Sequence, residues 1–526
     1  TSAAFGLYAL NGVCQASIAS QANTFPLQPP FNYGTPPARA DIFLPPYSNT
    51  TCDGYQYQQR DQEDLSAEIR LASPGDQAVR WIAGAYFGDI ERRVVVSQGS
   101  DLNRGFTPTA FVPSNGLNPT DLLYDDTFTS QVMAGFGQVA VDVAEGVEVA
   151  LAVRYDREKR EVDNNVPTCT GSNASGPCRA QTPGFAFGSN PFINPAYTAT
   201  PAFATAGIPN RDKTFSQFQP KLSLNWKLTE EFSVYGSYGF GFRSGGFNSS
   251  GSLATIEQNY GALCLGATQG PAQGFFPACN ADRSDRSLVA GTVRDDYEKE
   301  VSKAAELGFK STLAGGSLQI NGAVFHTTVE DMLFFNFFAG PFGLLRVVTN
   351  VDEVTIQGAE LDARWRATDM ITLFAGAALV DGEIDEHRSR PYTVGNEVPY
   401  APKYTGNAGI DFNVPLGAGG LALTARLDAS FVGPTWFHTV QEETIPNLFT
   451  GFGFGQGNLT KLERDAFTVL NARVGLQGEK WSVTAWGRNV ADEEYRAEII
   501  PAPEFGGAFI HDAHGRSYGV DLTYKF

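Results

Sequence analysis

Apolar and polar residues alternate with a two-residue period along most of this chain. In its last ten residues, Ser517–Phe526, the side chains of Tyr518 and Leu522 share one face, and those of Asp521 and Lys525 share the other. A period of two predicts a β-strand with two different faces. The same alternation recurs at Leu65–Leu71, Val147–Tyr155, Gln217–Leu228, Phe232–Arg243, Ala305–Leu313, Gln357–Trp365, Ala408–Val414, Leu421–Phe431 and Leu470–Leu476. Trp81–Phe87 and Thr372–Val380 are apolar on both faces and are also predicted strands.

The connections between these strands fall into two classes. One class is very short: "SPGD" (73–76), "AEG" (144–146), "TEE" (229–231), "AGG" (314–316), "GAGG" (417–420) and "GEK" (478–480). The other class is long: about Ser97–Asp126, Asp163–Asp212, Asn248–Arg294, Gln441–Glu463 and Ala497–Gly515. Alternation alone also fits a soluble β-sandwich, but so many long segments do not fit a compact soluble domain. Tight turns at one end and long loops at the other are typical of an outer-membrane β-barrel.

The predicted fold is therefore all-β, a transmembrane antiparallel β-barrel with short periplasmic turns and long extracellular loops. Its apolar stripe faces lipid, its polar faces line the interior, and ring closure leaves no unpaired strand edge in the membrane. About 15 strands are recognisable from Leu65 to Phe526, and a sixteenth is predicted at Phe5–Leu10. The whole chain, 1–526, is predicted to be one domain. Residues 1–62 are mostly extracellular loop, and residues 63–526 carry the barrel strands.

Composition excludes two other classes of protein. The net charge of −19, with no cluster of Lys and Arg, argues against a nucleic-acid partner. The sequence contains no run of about 18 apolar residues, so no transmembrane helix is predicted.

The six cysteines lie in three pairs that are local in sequence, each within a Gly-, Pro- or Asn-rich stretch. The predicted pairs are Cys14 with Cys52, Cys169 with Cys178, and Cys264 with Cys279. An even count in local pairs favours three loop disulfides formed in an oxidising compartment. A metal site is the alternative, although no C-x-x-C spacing and no nearby His support it.

Several stretches resemble the barrel of TonB-dependent outer-membrane receptors. They are "DLSAEIRLASPGDQAVRWIAGAYF" (64–87), "YGSYGFGFRSGGFN" (235–248), "ELGFKSTLAGGSLQINGAVFHTTVEDM" (306–332), "IQGAELDARWRATDMITLFAGAAL" (356–379) and "GRNVADEEYR" (487–496), together with the terminal Phe526. The resemblance covers roughly residues 64–526. No single motif is decisive, but their order and spacing together are specific.

The resemblance implies a 22-stranded barrel in the outer membrane of a Gram-negative bacterium, closed by an N-terminal plug. Such receptors import scarce nutrients, including iron–siderophore complexes, and the TonB complex drives them by gripping an N-terminal box. This sequence departs from that pattern, because no plug, no TonB box and none of the first six or seven strands is recognisable. The visible strands correspond to the last 15 or 16 of 22. The predicted partners are outer-membrane lipid, a small nutrient ligand and, through the missing parts, TonB.

Two aromatic stretches and one histidine pair are candidates for contact with a ligand. "DMLFFNFFAGPFGLL" (331–345) is predicted to be the aromatic tip of an extracellular hairpin, and "PTWFH" (434–438) is a similar stretch. "HDAH" (511–514) places two His three residues apart, as in a metal or haem contact, although a solvated loop also explains it. The acidic "DGEIDEH" (381–387) is predicted to be a solvated loop. The candidate ligand residues are Phe334, Phe335, Phe337, Phe338, Trp436, His438, His511 and His514.

A set of charged residues is predicted by strand parity to face the barrel interior. Its members are Arg154, Arg243, Glu306, Glu360, Asp362, Arg364, Arg426, Asp428 and Arg473. Pairing along the wall, or with carboxylates of a plug, is the structural interpretation. Binding of an anionic ligand is the functional alternative.

Active import of a metal chelate, with an iron–siderophore first among the candidates, is the leading hypothesis for function. A passive, porin-like channel of 16 strands is the alternative, because the strand count also allows it. An enzyme is not predicted: no G-x-S-x-G and no H-E-x-x-H occurs, and the chain has only five His. No cofactor and no resident metal are predicted.

Overall fold

The structure is a computed structural model. It describes residues 54–100, 109–112, 120–168, 194, 196–197, 200, 202–256, 294–340, 343–417, 419–441, 444–445, 457–502 and 507–526. All six cysteines and the strand predicted at Phe5–Leu10 lie outside these residues. The predicted disulfides and the sixteenth strand therefore stay predictions.

Fifteen strands form one antiparallel sheet in which neighbours along the chain are neighbours in space. The first eight are β1 Gly54–Ala72, β2 Val79–Ser100, β3 Thr120–Ala144, β4 Val147–Asn164, β5 Arg211–Lys227, β6 Phe232–Arg243, β7 Glu300–Leu313 and β8 Leu318–Gly340. The other seven are β9 Gly343–Arg366, β10 Ile371–Glu386, β11 Tyr404–Pro415, β12 Ala422–Val432, β13 Phe467–Gln477, β14 Trp481–Arg488 and β15 Ser517–Tyr524.

Within the described ranges, small elements lie in the long connections and in one tight turn. The helices whose bounds are described are α1 Phe203–Ala206 and α2 Ser252–Ile256. Four two-stranded ladders join Gly246–Phe247 with Asp296–Tyr297, Thr435–Trp436 with Glu463–Arg464, Thr444–Ile445 with Gly457–Asn458, and Arg496–Ala502 with Gly507–Asp512. Single 3-10 turns span Ala314–Gly316, Pro391–Thr393 and Leu459–Leu462. Within the described ranges, no helix has the length and apolar character needed to cross a membrane.

The predicted meander of tight turns and long connections is confirmed. All six short turns join consecutive strands where the sequence places them. Two glycines show why such turns need this residue: Gly146 and Gly417 adopt φ of 71° and 81°, a region that residues with a Cβ enter at a cost. The long connections are shorter than predicted, because β2, β3 and β4 run on into them to Ser100, from Thr120 and to Asn164. β1 likewise begins at Gly54, ahead of the predicted boundary at residue 63.

The two faces of the sheet differ as the alternation predicts. Large apolar side chains on one face are half or more exposed, among them Leu65 (66%), Leu151 (54%), Leu307 (62%) and Leu379 (62%). The other face of the sheet carries the polar residues, for example Asn321, which pairs with Asp362 on the neighbouring strand. In water such a surface would be costly, at roughly 25 cal/mol per Å² of apolar area, whereas lipid removes that cost. The exposed apolar stripe therefore agrees with the lipid-facing side that the sequence predicts, and contact with lipid stays a prediction.

Pairing within the described residues leaves β1 and β15 as the two outermost strands of the sheet. The passive-channel alternative needs these two strands to pair, and no such ladder is present among the described residues. That alternative stays a prediction.

Candidate functional site

A packed layer covers the end of the sheet from which the long connections leave. We call it the outer layer. It consists of the upper half of the β8–β9 hairpin (332–340 and 343–351), the connection after β10 (387–403), the connection after β12 (433–441), and the residues that pack against them from the strands below, from Leu459–Leu462 and from Arg496–Ala502. Its first core contains Val329, Phe334, Val351, Val354, Ile384 and Val398. Its second core contains Trp436, Phe437, Val440, Leu459, Leu462 and Ile499.

A break in alternation at Asp331 orients the hairpin. Glu330 pairs with Glu353 and Met332 pairs with Val351, so Asp331 and Asp352 are skipped on their strands. Asp331 has φ of 54°, and its carbonyl accepts a hydrogen bond from Asn350 Nδ2 at 2.8 Å. Across Asp331 the buried positions of β8 change from odd (Val329) to even (Phe334 and Asn336). Phe334 therefore faces inward, a position that uninterrupted alternation would give to Phe335.

Phe334 is the residue through which the hairpin contacts the rest of the outer layer. It is 7% exposed, its ring stacks on Phe335 at 5.7 Å between centroids, and it meets the edge of His438 at 5.9 Å. Phe335 in turn contacts Phe337 at 5.4 Å and Tyr400 at 6.1 Å. The structure thus brings together four of the predicted ligand residues, but it buries Phe334 and His438 within the protein.

Both histidines of the outer layer are buried and neutral. His438 accepts a hydrogen bond from the amide of Val440 at Nδ1 (3.0 Å), and burial lowers its pKa well below 6.5. Thr393 Oγ1 donates to the carbonyl of Arg390, so at 2.7 Å it accepts a hydrogen bond from His387 Nδ1. Burial, followed by the charge of Arg390, lowers the pKa of His387 to about 4. The prediction that "DGEIDEH" is a solvated loop is wrong, because Asp381–Glu386 continues β10 and His387 is 4% exposed.

The other predicted ligand residues do not converge on one pocket. Trp436 is 4% exposed and belongs to the second core. His511 and His514 are exposed, and the side chain of Phe338 lies outside the described residues. No three His, Cys, Asp or Glu side chains in the described part of the chain are grouped as a metal site. Contact between these residues and a ligand therefore stays a prediction, in which Phe335 and Phe337 are the half-exposed members.

Two residues that sequence patterns did not single out complete this region. Arg346 lies over the ring of Phe335, with its guanidinium carbon 4.4 Å from the centroid. Tyr400 has φ of 64°, which is unusual for a bulky residue, and its ring meets Phe437 at 5.1 Å. Tyr400 follows no strand pattern and no motif, so only the fold reveals its position. Arg346 pairs with Phe337 across the hairpin, so its place beside the aromatic stretch could have been inferred from the predicted hairpin.

A second connection ties distant strands together. Asn248 binds the backbone of Val348 through both side-chain atoms, at 2.9 and 2.8 Å. Two residues later, the Ser250 amide donates to Asp126 on β3 at 2.9 Å, and Asn164 Nδ2 donates to the same carboxyl at 3.0 Å. Burial raises the pKa of Asp126. We call residues 246–256 the strap, because this segment joins β3 to β9.

Four of the nine predicted interior charges, Arg154, Arg243, Arg426 and Asp428, are in ion pairs along the inner face of the sheet. Arg154 binds Asp156 at 2.7 Å, and Arg243 reaches Glu300 at 3.5 Å. Arg426 binds Asp428 at 2.9 Å and reaches Asp411 at 3.4 Å. These pairs agree with the structural interpretation of the set. Arg364 and Arg473 are exposed on the inner face and make no ion pair with any described residue.

The remaining members of that set lie on the inner wall between β6 and β12. Glu360 and Asp362 line a groove of about 520 Å³, together with Lys310, Asn321 and Asn407. Asn321 Nδ2 donates to Asp362 at 3.0 Å. Glu306 is exposed on the same face, opposite Ser237 of β6. The inner face of the sheet is therefore polar and mixed in charge.

Comparison with known proteins gives one family and several relatives. The family described as "TonB dependent receptor-like, beta-barrel" matches residues 15–490. The pesticin receptor of Yersinia enterocolitica is 24% identical over 294 residues, which are 52% of this chain and 38% of that receptor. The chain thus spans about two fifths of the length of this curated relative.

Two solved structures share the fold. The ferric yersiniabactin uptake receptor FyuA from Yersinia pestis superposes with a TM-score of 0.61 at 16% identity, covering 91% of this chain and 56% of FyuA. The siderophore receptor PiuA from Acinetobacter baumannii superposes with a TM-score of 0.54 at 14% identity, covering 89% of this chain and 56% of PiuA. At these identities the likeness shows the fold alone.

Proposed function

Because this chain belongs to the TonB-dependent receptor β-barrel family, we propose that it forms the wall of an outer-membrane receptor that imports a metal chelate, with iron–siderophore complexes as the first class. The observation that carries the proposal is the division of the wall into two faces beneath a packed outer layer. The apolar face suits lipid, the inner face is polar and charged, and the outer layer offers partly buried aromatic rings and the exposed ring of Tyr400 at the long-loop end.

In the proposed mechanism the outer layer captures the ligand and the inner wall guides its passage. Wall residues that keep exposed charges, such as Arg364, Arg473 and Glu360, hydrate the passage and offer weak polar contacts. In this mechanism the energy comes from TonB, a separate partner complex, acting on a plug domain of the whole receptor. The proposed location is the outer membrane of a Gram-negative bacterium.

The choice of ligand class rests on the names of similar proteins. FyuA is described as a ferric yersiniabactin uptake receptor and PiuA as a siderophore receptor. A metal chelate is the ligand that those descriptions share. The family consists of transport receptors, which supports import rather than catalysis as the activity of this chain.

Uptake of radioactive iron by whole cells tests the proposal. A strain that lacks the receptor, grown with an iron scavenger, is compared with the same strain carrying the full-length gene. We expect saturable ⁵⁵Fe uptake from at least one chelate in a panel of catecholates, hydroxamates and carboxylates, only when the receptor is present. Equal uptake with and without the receptor for every chelate in the panel would refute iron import.

A further inference from the structure

The neighbouring strands β5 and β6 stop pairing although both of them continue. Among the residues that the structure describes, their ladder ends at the pair of Lys221 with Gly239. Beyond it, toward the long connections, β5 stays paired with β4 up to its first residue, and β6 stays paired with β7 up to its last. Each strand therefore keeps one neighbour and loses the other. We call the gap between residues 211–220 and 240–243 the seam.

A proline explains where the ladder ends. Pro220 directly precedes Lys221 on β5, and proline has no backbone N–H to donate to a neighbouring strand. Its pairing with Val153 of β4 is unbroken, so only the ladder toward β6 is lost. Backbone groups left open in hydrocarbon would cost several kcal/mol each. Because the seam runs to the long-connection end of the sheet, water can reach both of its edges.

A lysine amine takes the place of a strand partner at the seam. Lys299, the residue before β7, donates from Nζ to the carbonyl of Ser216 and to Gln217 Oε1, each at 2.6 Å. Alternate residues of a strand direct their backbone groups to the same edge, so Pro220 faces the seam as Ser216 does. Lys299 therefore supplies β5 with a donor that β6 does not provide.

Ion pairs join the two sides of the seam beside Lys299. Lys213 Nζ donates to Glu298 at 2.7 Å and to Asp296 at 3.2 Å, and Arg211 lies 3.8 Å from Asp295. All of these side chains are partly exposed, and ion pairs of that kind are individually weak and screened by salt. The contacts that close the seam are thus weaker and more sensitive to salt than a backbone ladder.

The strap crosses the seam on the inner face of the sheet. It follows β6, and just ahead of it Gly245 packs so closely on the ring of Phe215 that a Cβ would lie 2.5 Å away. Farther along, the amide of Ser250 donates to Asp126 of β3. The strap therefore connects the two parts of the wall that the seam divides, and it limits how far they can separate.

We propose that the seam is a side gate at the long-connection end of the wall, held closed by Lys299 and by the ion pairs of Lys213 and Arg211. When these contacts are lost, β5 and β6 separate beyond Pro220 while the ladders on either side stay intact. The strap is the tether that brings the two edges together again. Opening the gate widens the mouth of the barrel without breaking a backbone ladder. The inference rests on the fold and holds whichever ligand is imported.

Double electron–electron resonance on the full-length receptor in detergent measures the width of the seam. Spin labels are attached through unnatural ketone-bearing residues at Thr214 and Phe242, so that the native cysteines stay unlabelled. By strand parity both positions lie on the outer face, on opposite sides of the seam. We expect one short distance at low salt. A second, longer distance should appear in about 1 M NaCl, where the Debye length falls to about 3 Å.

Two variants should move that distribution in opposite directions. Lys299→Met removes the amine and keeps the length of the side chain, so it should populate the longer distance already at low salt. Pro220→Val restores an N–H to β5, so it should keep the short distance at both salt concentrations. Lys227→Met is the matched control, because its ion pair with Glu230 lies at the tight turn between β5 and β6, and it should behave as wild type.

A second pair of labels shows that each variant keeps its fold. Leu222 and Tyr238 face each other in the paired part of the β5–β6 ladder, and their distance should stay single in every sample. A distance across the seam that is unchanged in Lys299→Met and in high salt would overturn the proposal. Opening of Pro220→Val in high salt to the same extent as wild type would overturn it as well. Neither result bears on iron import, which the uptake experiment decides separately.

Discussion

His387 and His438 lie neutral inside the outer layer, where a charge would have no water. Each uses its ring for a short local hydrogen bond, to Thr393 and from Val440 respectively. Arg390, itself 5% exposed, adds a positive charge beside them and donates to Asn336 at 3.2 Å. If either imidazole were protonated, its positive charge would be buried away from water and repelled by the charge of Arg390. These two residues therefore make the outer layer sensitive to acid.

Acidification should loosen the outer layer through His387. Its pKa of about 4 in the fold lies below the ordinary 6.5, so folding favours the neutral ring. The stabilisation is complete above pH 6.5, declines as the pH falls toward 4, and is lost below that. The full effect is about 3 kcal/mol. Proteolytic cleavage within residues 384–403 at pH 7 and pH 4 measures it.

His387→Leu should show less acid sensitivity than wild type in that measurement. His514→Leu is the control, because His514 is exposed and outside either core. Identical pH profiles for wild type and His387→Leu would contradict this role.

Removing the ring of Phe334 should destabilise the upper hairpin without unfolding the strands below it. Phe334→Ala leaves a cavity between Val351 and His438, and such truncations cost about 3–5 kcal/mol. Hydrogen exchange should therefore accelerate in residues 332–351, while the strands below Glu330 keep their protection. Phe509→Ala, at a 56% exposed site, should change neither region. Unchanged exchange in the hairpin of Phe334→Ala would contradict this packing.

At the scale of elements, the strap and the β8–β9 hairpin hold each other. The upper part of β9 has β8 on one edge, and Asn248 satisfies both the amide and the carbonyl of Val348 on the other. The same side chain donates to the carbonyl of Arg294 at 2.8 Å. The buried side chain of Asn248 thus forms hydrogen bonds with three backbone groups, two on Val348 and one on Arg294.

Asn248→Ala should leave those three backbone groups without a hydrogen-bond partner. The contact between the strap and β9 should lose about 1–3 kcal/mol of stability. Exchange of the Val348 amide should then accelerate by one to two orders of magnitude, read from peptides that cover residues 343–352. Asn321→Ala is the matched control, because its hydrogen bond to Asp362 is exposed on the inner wall. Equal exchange in both variants would show that the strap does not hold β9.

Strands with strict alternation were readable from sequence, and the hairpin was only partly so. Phe232–Arg243 was predicted with the bounds that β6 has, because its outer face is apolar at every second residue. The prediction for "DGEIDEH" was wrong because this stretch is mostly acidic, which is typical of a solvated loop. Ile384 is its only large apolar residue, and one apolar residue is too little to show the alternation of a strand. The skip at Asp331 and the φ of Tyr400 depend on tertiary contacts, so no local pattern predicted that Phe334 is buried.

At the scale of the whole molecule, the proposed function places lipid on one face of the sheet and water on the other. Leu307 and Glu306 are neighbours on β7 that face opposite sides. Leu307→Lys should cost about 2–4 kcal/mol, because it places a charge in lipid, and Glu306→Lys should cost little. The fraction of receptor that assembles into the outer membrane in a heat-resistant form reports the difference. Equal assembly of the two variants would contradict the assignment of the lipid face.

The central claim is that this wall serves energy-driven import, and one measurement tests it most directly. Uptake of ⁵⁵Fe chelate through the receptor is compared in cells with TonB and in otherwise identical cells without it. The account predicts saturable uptake that disappears when TonB is removed. Uptake that continues without TonB and rises linearly with chelate concentration would contradict it and would indicate a passive channel.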